Sequence, residues 1–163
     1  MLRVGFGQDS HVFVHEMDDK PLILGGVIIP GGRGLQGNSD ADVILHAVFN
    51  ALTQAIGGRS IGYYCDSLCL QQGVTDSKEY LEIPLEMLKE KGYVINNLGI
   101  SIEGKRPRIE PFVDQIRQSV ACILQISVEQ IGLNATSGEG LTPFGRGEGL
   151  QAFAIVSVVK QPS

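Results

Sequence analysis

The sequence predicts a two-layer domain of the α/β or α+β kind, and three observations carry that expectation. Apolar runs of strand length alternate with segments of helical period. The segment from about Asp42 to Ile56 has an apolar face broad enough to cover a sheet, and 163 residues with 43 % hydrophobic content supply one sizeable core. The form carried forward is α+β, a mixed β-sheet covered by helices on one face, in a single domain spanning 1–163.

Leu2 to Gln8 is expected as the first strand, and Pro21 to Pro30 as a hairpin turning at Gly25-Gly26, because paired glycines adopt the positive φ angles of a tight turn. A glycine-rich loop follows. Ser39 and Asp42 read as a capping box, Ser39 at N-cap and Asp42 at N3, opening a helix that runs to Ile56 and stops at Gly57-Gly58. Val43, Ile44, Ala47, Val48, Ala51, Leu52, Ala55 and Ile56 make its apolar face, and Asp42, His46, Asn50 and Thr53 run as a polar stripe off that face. Arg59 to Thr75 is expected to be irregular. A second helix is capped by Asp76 or Ser77 and ends near Gly92; Pro84, which lacks an N–H and clashes one turn back, demands a kink or a later start. Tyr93 to Glu103 is a strand, Ile109 to Leu124 a third helix, Ile131 to Ala135 a strand and Leu150 to Val159 the last strand. No repeat, linker or low-complexity segment interrupts this order.

A net charge of −5 without any Lys/Arg block argues against nucleic-acid and membrane partners, which both need a concentrated basic surface. Cys65, Cys69 and Cys122 are an odd set with no Cys-x-x-Cys pair, so they are expected as free thiols in a reducing compartment. No stretch reaches the roughly 18 apolar residues of a membrane span, and the N-terminus enters a strand without a leader, so the expected location is cytoplasmic.

Asp9 and His11 stand two apart in an extended segment and therefore project from one face. Such a pair alone is more often a turn or surface feature. His46, one turn into the helix, adds a third candidate, and Asp/His/His suits zinc with a fourth position open to water or a substrate oxygen. By spacing alone His46 could equally be a helix-surface histidine without a role; His15, in a charged loop, is read as solvated. Thr136-Ser137-Gly138-Glu139-Gly140 leaves a strand with two hydroxyls, flexible backbone and a carboxylate, a set able to cradle phosphate and hold magnesium, although alone it is an ordinary turn. Arg146 and Glu148, between glycines, form a local ion pair or offer the arginine to an anion.

Taken in order, Gly5 through His11, Asn38 through His46, Lys105-Arg106-Pro107-Arg108, Ala135 through Glu139 and Gly145 through Gly149 resemble the 2-C-methyl-D-erythritol 2,4-cyclodiphosphate synthases of non-mevalonate isoprenoid biosynthesis, over nearly the whole chain. The resemblance implies a homotrimer with sites between subunits. It implies a phosphorus–oxygen lyase that cyclises 4-diphosphocytidyl-2-C-methyl-D-erythritol 2-phosphate with release of CMP, a small-molecule cytidine diphosphate substrate. Asp9, His11 and His46 match the family's zinc ligands, and Glu139 matches the residue that holds Mg2+ or Mn2+ on the diphosphate. Substrate contacts are implied at Asp9, Ser10, His11, Asn38 and Ser39; at Ser60, Ile61 and Gly62; at Gly104, Arg108, Ile109 and Glu110 of a cytosine-reading loop that spans Gly104 to Glu110; and at Thr136, Ser137, Gly138, Glu139 and Arg146. Catalytic roles fall to Asn38 and Ser137, while Arg146 and Glu148 match residues of a central cavity near the three-fold axis.

The chain also departs from the family. Asn38 replaces a histidine and cannot carry positive charge. Ser137 replaces a threonine but keeps the hydroxyl, and Ser60 stands where an aspartate grips the ribose. Tyr64-Cys65-Asp66-Ser67 occupies the place of a Phe-Pro-Asp closing loop, and Gln8 replaces an apolar residue of the central cavity. These departures motivate an alternative, a divergent trimeric member that binds cytidine nucleotide or isoprenoid diphosphate without turnover. A purely structural oligomer would leave Asp9, His11, His46 and Glu139 unexplained together.

Overall fold

The computed structural model describes residues 1–161. Its main sheet has four strands, β1 (Leu2–Val12), β4 (Tyr93–Glu103), β5 (Ile131–Thr136) and β6 (Gly149–Lys160), in the order β1-β6-β4-β5. β6 is antiparallel to β1, from Leu2 opposite Val159 to Val12 opposite Gly149, and antiparallel to β4; β4 and β5 run parallel. The sheet is thus mixed, and the parallel pair is joined through a helical crossover, the connection that parallel strands require. β2 (Pro21–Leu24) and β3 (Val27–Arg33) form the expected hairpin, with Gly25 and Gly26 at φ of 59° and 78°.

The helices are α1 (Val43–Ala55), α2 (Ile61–Gln72), α3 (Ser77–Tyr80), α4 (Glu82–Glu90), α5 (Val113–Leu124) and α6 (Pro143–Arg146). Three elements differ from the sequence reading, and the segment after Asp76 takes the interrupted form that Pro84 was expected to impose. β1 continues four residues past Gln8, because β6 supplies backbone partners as far as Val12. Arg59 to Thr75 is not irregular: it contains α2, of which only Cys65 is buried, so its apolar period is too faint to read, and Gly73 ends it at φ 72°. The segment after Asp76 divides into α3 and α4 around Leu81, and Pro84 falls in the first turn of α4, where its missing N–H costs no helical bond. Asp42, not Ser39, caps α1.

That cap binds two elements together. Asp42 is fully buried and its carboxylate accepts from the N–H groups of Ile44 and Leu45 at 3.1 and 3.0 Å and from those of Gly25 and Gly26 at 2.9 and 2.7 Å. One side chain therefore satisfies the open end of α1 and clasps the hairpin turn to it. Burial pushes the Asp42 carboxyl up to about 6, against the pull of those donors.

Most of the polar stripe of α1 is buried as well: His46 is 7 % exposed and Thr53 1 %, while Asn50 is half-buried. It lies off the apolar face, as its spacing requires, but other elements cover it, and each member has a partner on those elements or in α1 itself. Asn50 accepts from Ile61 N at 2.8 Å and donates to Gln8 O at 3.2 Å, and the Thr53 hydroxyl donates to Phe49 O at 3.1 Å.

β1 meets α1 at unusually short range. A Cβ on Gly5 would stand 2.0 Å from Ala51 O, and one on Gly7 2.0 Å from Ala47 O. Alternate residues of β1 and small residues one helical turn apart in α1 run alongside each other, so the next residue on this face of the strand, Asp9, arrives beside the first turn of α1. The helices cover this face. The opposite face is open and apolar, with Leu2, Val4, Phe6, Val12 and Ile155 half exposed or more and Phe6 stacked on Phe153 at 6.0 Å.

Two expectations arise here. Gly7→Ala should lower unfolding stability by about 3 kcal/mol or more, since the clash is with helix backbone rather than a movable side chain; a urea midpoint equal to wild type would show that α1 can move away. Asp42→Ala should cost about 2–4 kcal/mol by leaving buried N–H groups without an acceptor. Because folding raises the Asp42 pKa from 3.8 to about 6, its contribution is greatest below the unfolded value and is lost as pH rises through that window. The stability gap between wild type and Asp42→Ala should therefore narrow from about pH 4 to pH 6 in urea titrations, and a widening gap would mean that the four donors outweigh burial.

Candidate metal centre and surrounding site

Asp9 and His11 come from the covered face of β1 and His46 from the first turn of α1. Asp9 Oδ2 lies 2.9 Å from His11 Nε2 and 3.0 Å from His46 Nδ1, and ligand atoms of all three residues fall within 4.8 Å of one another. The two imidazoles meet edge to face at 5.5 Å. Burial works to raise the Asp9 pKa, but the flanking imidazoles together outweigh it and hold the carboxyl below its ordinary value. His11 is raised, chiefly by the Asp9 carboxylate, against the opposing effect of burial.

The geometry fits a cation. His11 Nε2 is buried and, despite its closeness to Asp9, makes no hydrogen bond with any described residue. Such an orphan costs about 1–3 kcal/mol unless something else satisfies it. A carboxylate oxygen and two imidazole nitrogens converging on one point form a donor set suited to zinc and other borderline divalent metals.

The pocket around this cluster is lined by Asp9, His11, Gly37, Asn38, Ser39, His46, Ile61, Gly62, Cys65, Asp66, Cys69, Leu70 and Tyr80. Lys20 holds the Gly37–Ser39 loop by donating to Ser39 O at 2.7 Å and Gly37 O at 3.2 Å. The Ser39 hydroxyl accepts from Ala41 N at 3.1 Å and lies 3.5 Å from His46 Nε2. Ile61 and Gly62 open α2, so that helix presents its N-terminal turn to the pocket. Ser60, the N-cap residue of α2, lines a neighbouring cavity with Phe6, Gln8 and Asn50. Ser10 alternates to the open face of β1 and is exposed there.

The other candidates gather at the ends of β4, β5 and β6. Arg108 lines a separate basic pocket with Arg33, Lys105 and Arg106. Gly104 N donates to Thr136 O at 3.0 Å, which ties the Gly104–Glu110 loop to the Thr136 turn. Ile109 is in the core, so only its backbone can face a ligand, and Glu110 is exposed at the start of a 3₁₀ turn. Thr136, Ser137 and Glu139 are exposed, with Glu139 in the left-handed region at φ 51° and Gly138 packed against the Glu103 carboxylate. Arg146 pairs with Glu148 at 3.1 Å, the local ion pair that their spacing allowed. Glu139 does not join the Asp9–His11–His46 cluster within one chain.

Sequence reasoning missed Cys69, Leu70 and Tyr80, and had Cys65 and Asp66 only as part of a segment standing for a closing loop, because α2 was not read as a helix and α3 was not expected over the pocket. It also read Ser77 only as a possible cap, whereas the Ser77 hydroxyl contacts His46.

Comparison with known proteins extends this geometry. The chain is 43 % identical over 158 residues, 97 % of its own length and 89 % of the relative's, to a protein of Chlamydia felis named 2-C-methyl-D-erythritol 2,4-cyclodiphosphate synthase. It superposes with a TM-score of 0.85 and 25 % identity on the IspF–CDP complex of Plasmodium falciparum, covering 99 % of this chain and 97 % of that one. It matches the bifunctional IspDF of Campylobacter jejuni with a TM-score of 0.89 and 28 % identity over 97 % of this chain and 42 % of that longer one. The profile of the YgbB family aligns with residues 2–159, a span that takes in every strand at least to its penultimate residue and all the candidate site residues, and the chain belongs to that family.

Proposed function

We propose that this chain is a single-domain, metal-dependent cyclase that converts 4-diphosphocytidyl-2-C-methyl-D-erythritol 2-phosphate to 2-C-methyl-D-erythritol 2,4-cyclodiphosphate and CMP, acting as a phosphorus–oxygen lyase in isoprenoid precursor synthesis. The carrying observation is the Asp9–His11–His46 cluster with its unpartnered His11 nitrogen, in a chain of the YgbB family.

Asp9, His11 and His46 are the residues to hold zinc, and Glu139 the residue to hold magnesium or manganese beside the diphosphate. Bound there, the cations supply charge neutralisation and alignment of phosphate oxygens. In the reaction, an oxygen of the 2-phosphate forms a bond to the β-phosphorus. The bond from that phosphorus to the oxygen bridging it to the cytidylyl phosphate breaks, and that oxygen leaves with its electron pair as part of CMP. No protein nucleophile is needed, so the chain's contribution is positioning and electrostatics. The Asn38 amide donates to the attacking phosphate, and the Thr136 and Ser137 hydroxyls donate to the nucleotide phosphates. The Gly62 amide at the start of α2, with the Ser60 hydroxyl, meets the ribose. Backbone groups of the Gly104–Glu110 loop hold the cytosine, with Arg108 adding charge.

In this reading the protein is a homotrimer. Two observations support it: the apolar, uncovered sheet face around Phe6 and Ile155, and the separation, within one chain, of the metal pocket from the Gly104–Glu110 and Thr136–Glu139 segments. Packing sheet faces around a three-fold axis covers the first and lets a neighbour complete the second. The assembled enzyme is read as cytoplasmic; among the described residues no helix is long and apolar enough to cross a membrane.

The test is phosphorus NMR of the purified protein with the diphosphocytidyl substrate, zinc and magnesium, beside a chelated control. Metal-dependent appearance of CMP and a cyclic diphosphate is expected; unchanged substrate with zinc-containing protein would move the assignment to a nucleotide-binding relative without turnover. His46→Ala should abolish zinc retention and turnover while light scattering still reports a trimer, and retained zinc with full activity would overturn the ligand assignment.

A further inference from the structure

His46 makes a second contact on the side away from Asp9. Its Nε2 lies 2.8 Å from the hydroxyl of Ser77, a residue with no exposed surface at the start of α3. Ser77 Oγ in turn donates to Asp40 Oδ1. Asp40 is itself pinned: Oδ2 accepts from Ser77 N at 3.0 Å, Oδ1 accepts from Asp42 N at 3.2 Å, and Asp40 N donates to Thr75 O at 2.9 Å.

The direction of these bonds is forced by proton count. An ionised carboxylate only accepts, and a hydroxyl has one proton, so Ser77 donates to Asp40 and its oxygen is left to accept. His46 Nε2 must then be the donor. With Nε2 committed to Ser77, Nδ1 is the ring nitrogen turned to the cluster, and it faces Asp9 Oδ2 at 3.0 Å. Two acceptor atoms held at that distance need a shared cation beside them, either a proton on Nδ1 or a metal ion, and Nδ1 is the ring nitrogen that a metal can take.

From this geometry we infer that Ser77 and Asp40 are positioning residues for the metal centre: through the chain Asp40–Ser77–His46 they fix the imidazole in the tautomer and orientation that present Nδ1 to the metal. The inference rests on the metal reading above and extends it to two residues outside the ligand set. A carboxylate acting on a metal-bound histidine sets ligand basicity and ring orientation, and loss of such a partner typically weakens metal binding about 10–100-fold. Here a serine hydroxyl relays the effect across α1 and α3.

The experiment has two parts. Nitrogen-15 NMR of zinc-loaded wild-type protein reads which His46 nitrogen is protonated; a proton on Nε2 with zinc on Nδ1 is expected, and the reverse assignment overturns the proposal without any mutation. Chelator competition with zinc alone then compares wild type, Ser77→Ala and Asp40→Asn. The expected result is about 10–100-fold weaker zinc binding in Ser77→Ala, with a smaller loss in Asp40→Asn, where the amide can still accept from Ser77. Wild-type affinity in Ser77→Ala overturns the positioning role while leaving the metal reading intact. Failure of wild-type protein to bind zinc overturns both.

Discussion

The architecture turns on the close approach of β1 to α1. Gly5 and Gly7 lie against the carbonyls of Ala51 and Ala47 at a range that no side chain would permit. Helix and strand therefore pack at backbone distance along this seam. Two residues further along the strand the same face carries Asp9 and then His11, and the helix answers with His46. A larger residue at either glycine would displace the strand from the helix and separate Asp9 and His11 from His46 with it, so a packing constraint in the core is also the constraint on the candidate centre.

Around that seam the polar groups form one connected system. Asp42 clasps the Gly25-Gly26 turn to α1, Asp40 holds α3 to the same loop, and Ser77 joins α3 to His46. Buried polar atoms are costly unless satisfied, and a network in which nearly every member has a partner rigidifies the elements it links. The exception is His11 Nε2, located where a cation would bind. A site whose one unmet valence coincides with its proposed chemistry is organised before its ligand arrives, which reduces what binding must supply in ordering.

The candidate groups fall into two sets. One surrounds Asp9, His11 and His46 under α1 and α2; the other lies on the loops after β4 and β5. A single chain does not merge them, and its sheet keeps one apolar face uncovered. The proposed three-fold assembly would resolve both features with one arrangement, and the proposed nucleotide site would then be a property of the oligomer. The residues read from the sequence as departing from the resemblance are spread over the molecule: Asn38 lies in the pocket around Asp9, His11 and His46, Ser60 at the start of α2 and Ser137 on the β5 turn.

Where local chemistry decides the outcome, the sequence sufficed. Paired glycines specify the hairpin turn, period-two and helical patterns specify the strands, α1 and α5, and extended geometry puts Asp9 and His11 on one face. The convergence of Asp9, His11 and His46 was legible because strand spacing and a helix start each left a local mark. What the sequence could not decide depends on neighbours distant in the chain. Ser39 and Asp42 are both competent caps, and Asp42 prevails because the hairpin adds two further donors to its carboxylate. The α2 helix shows almost no apolar period because it lies on the surface with one buried residue. His46 reads as lying off the core, and it is buried because α3 and β1 close over it. Ser77 reads as a cap, and its contact with a histidine 31 residues earlier exists only once α3 packs on α1. Local propensity is written residue by residue, whereas burial and side-chain partners are set by which elements meet, and only the tertiary structure decides that.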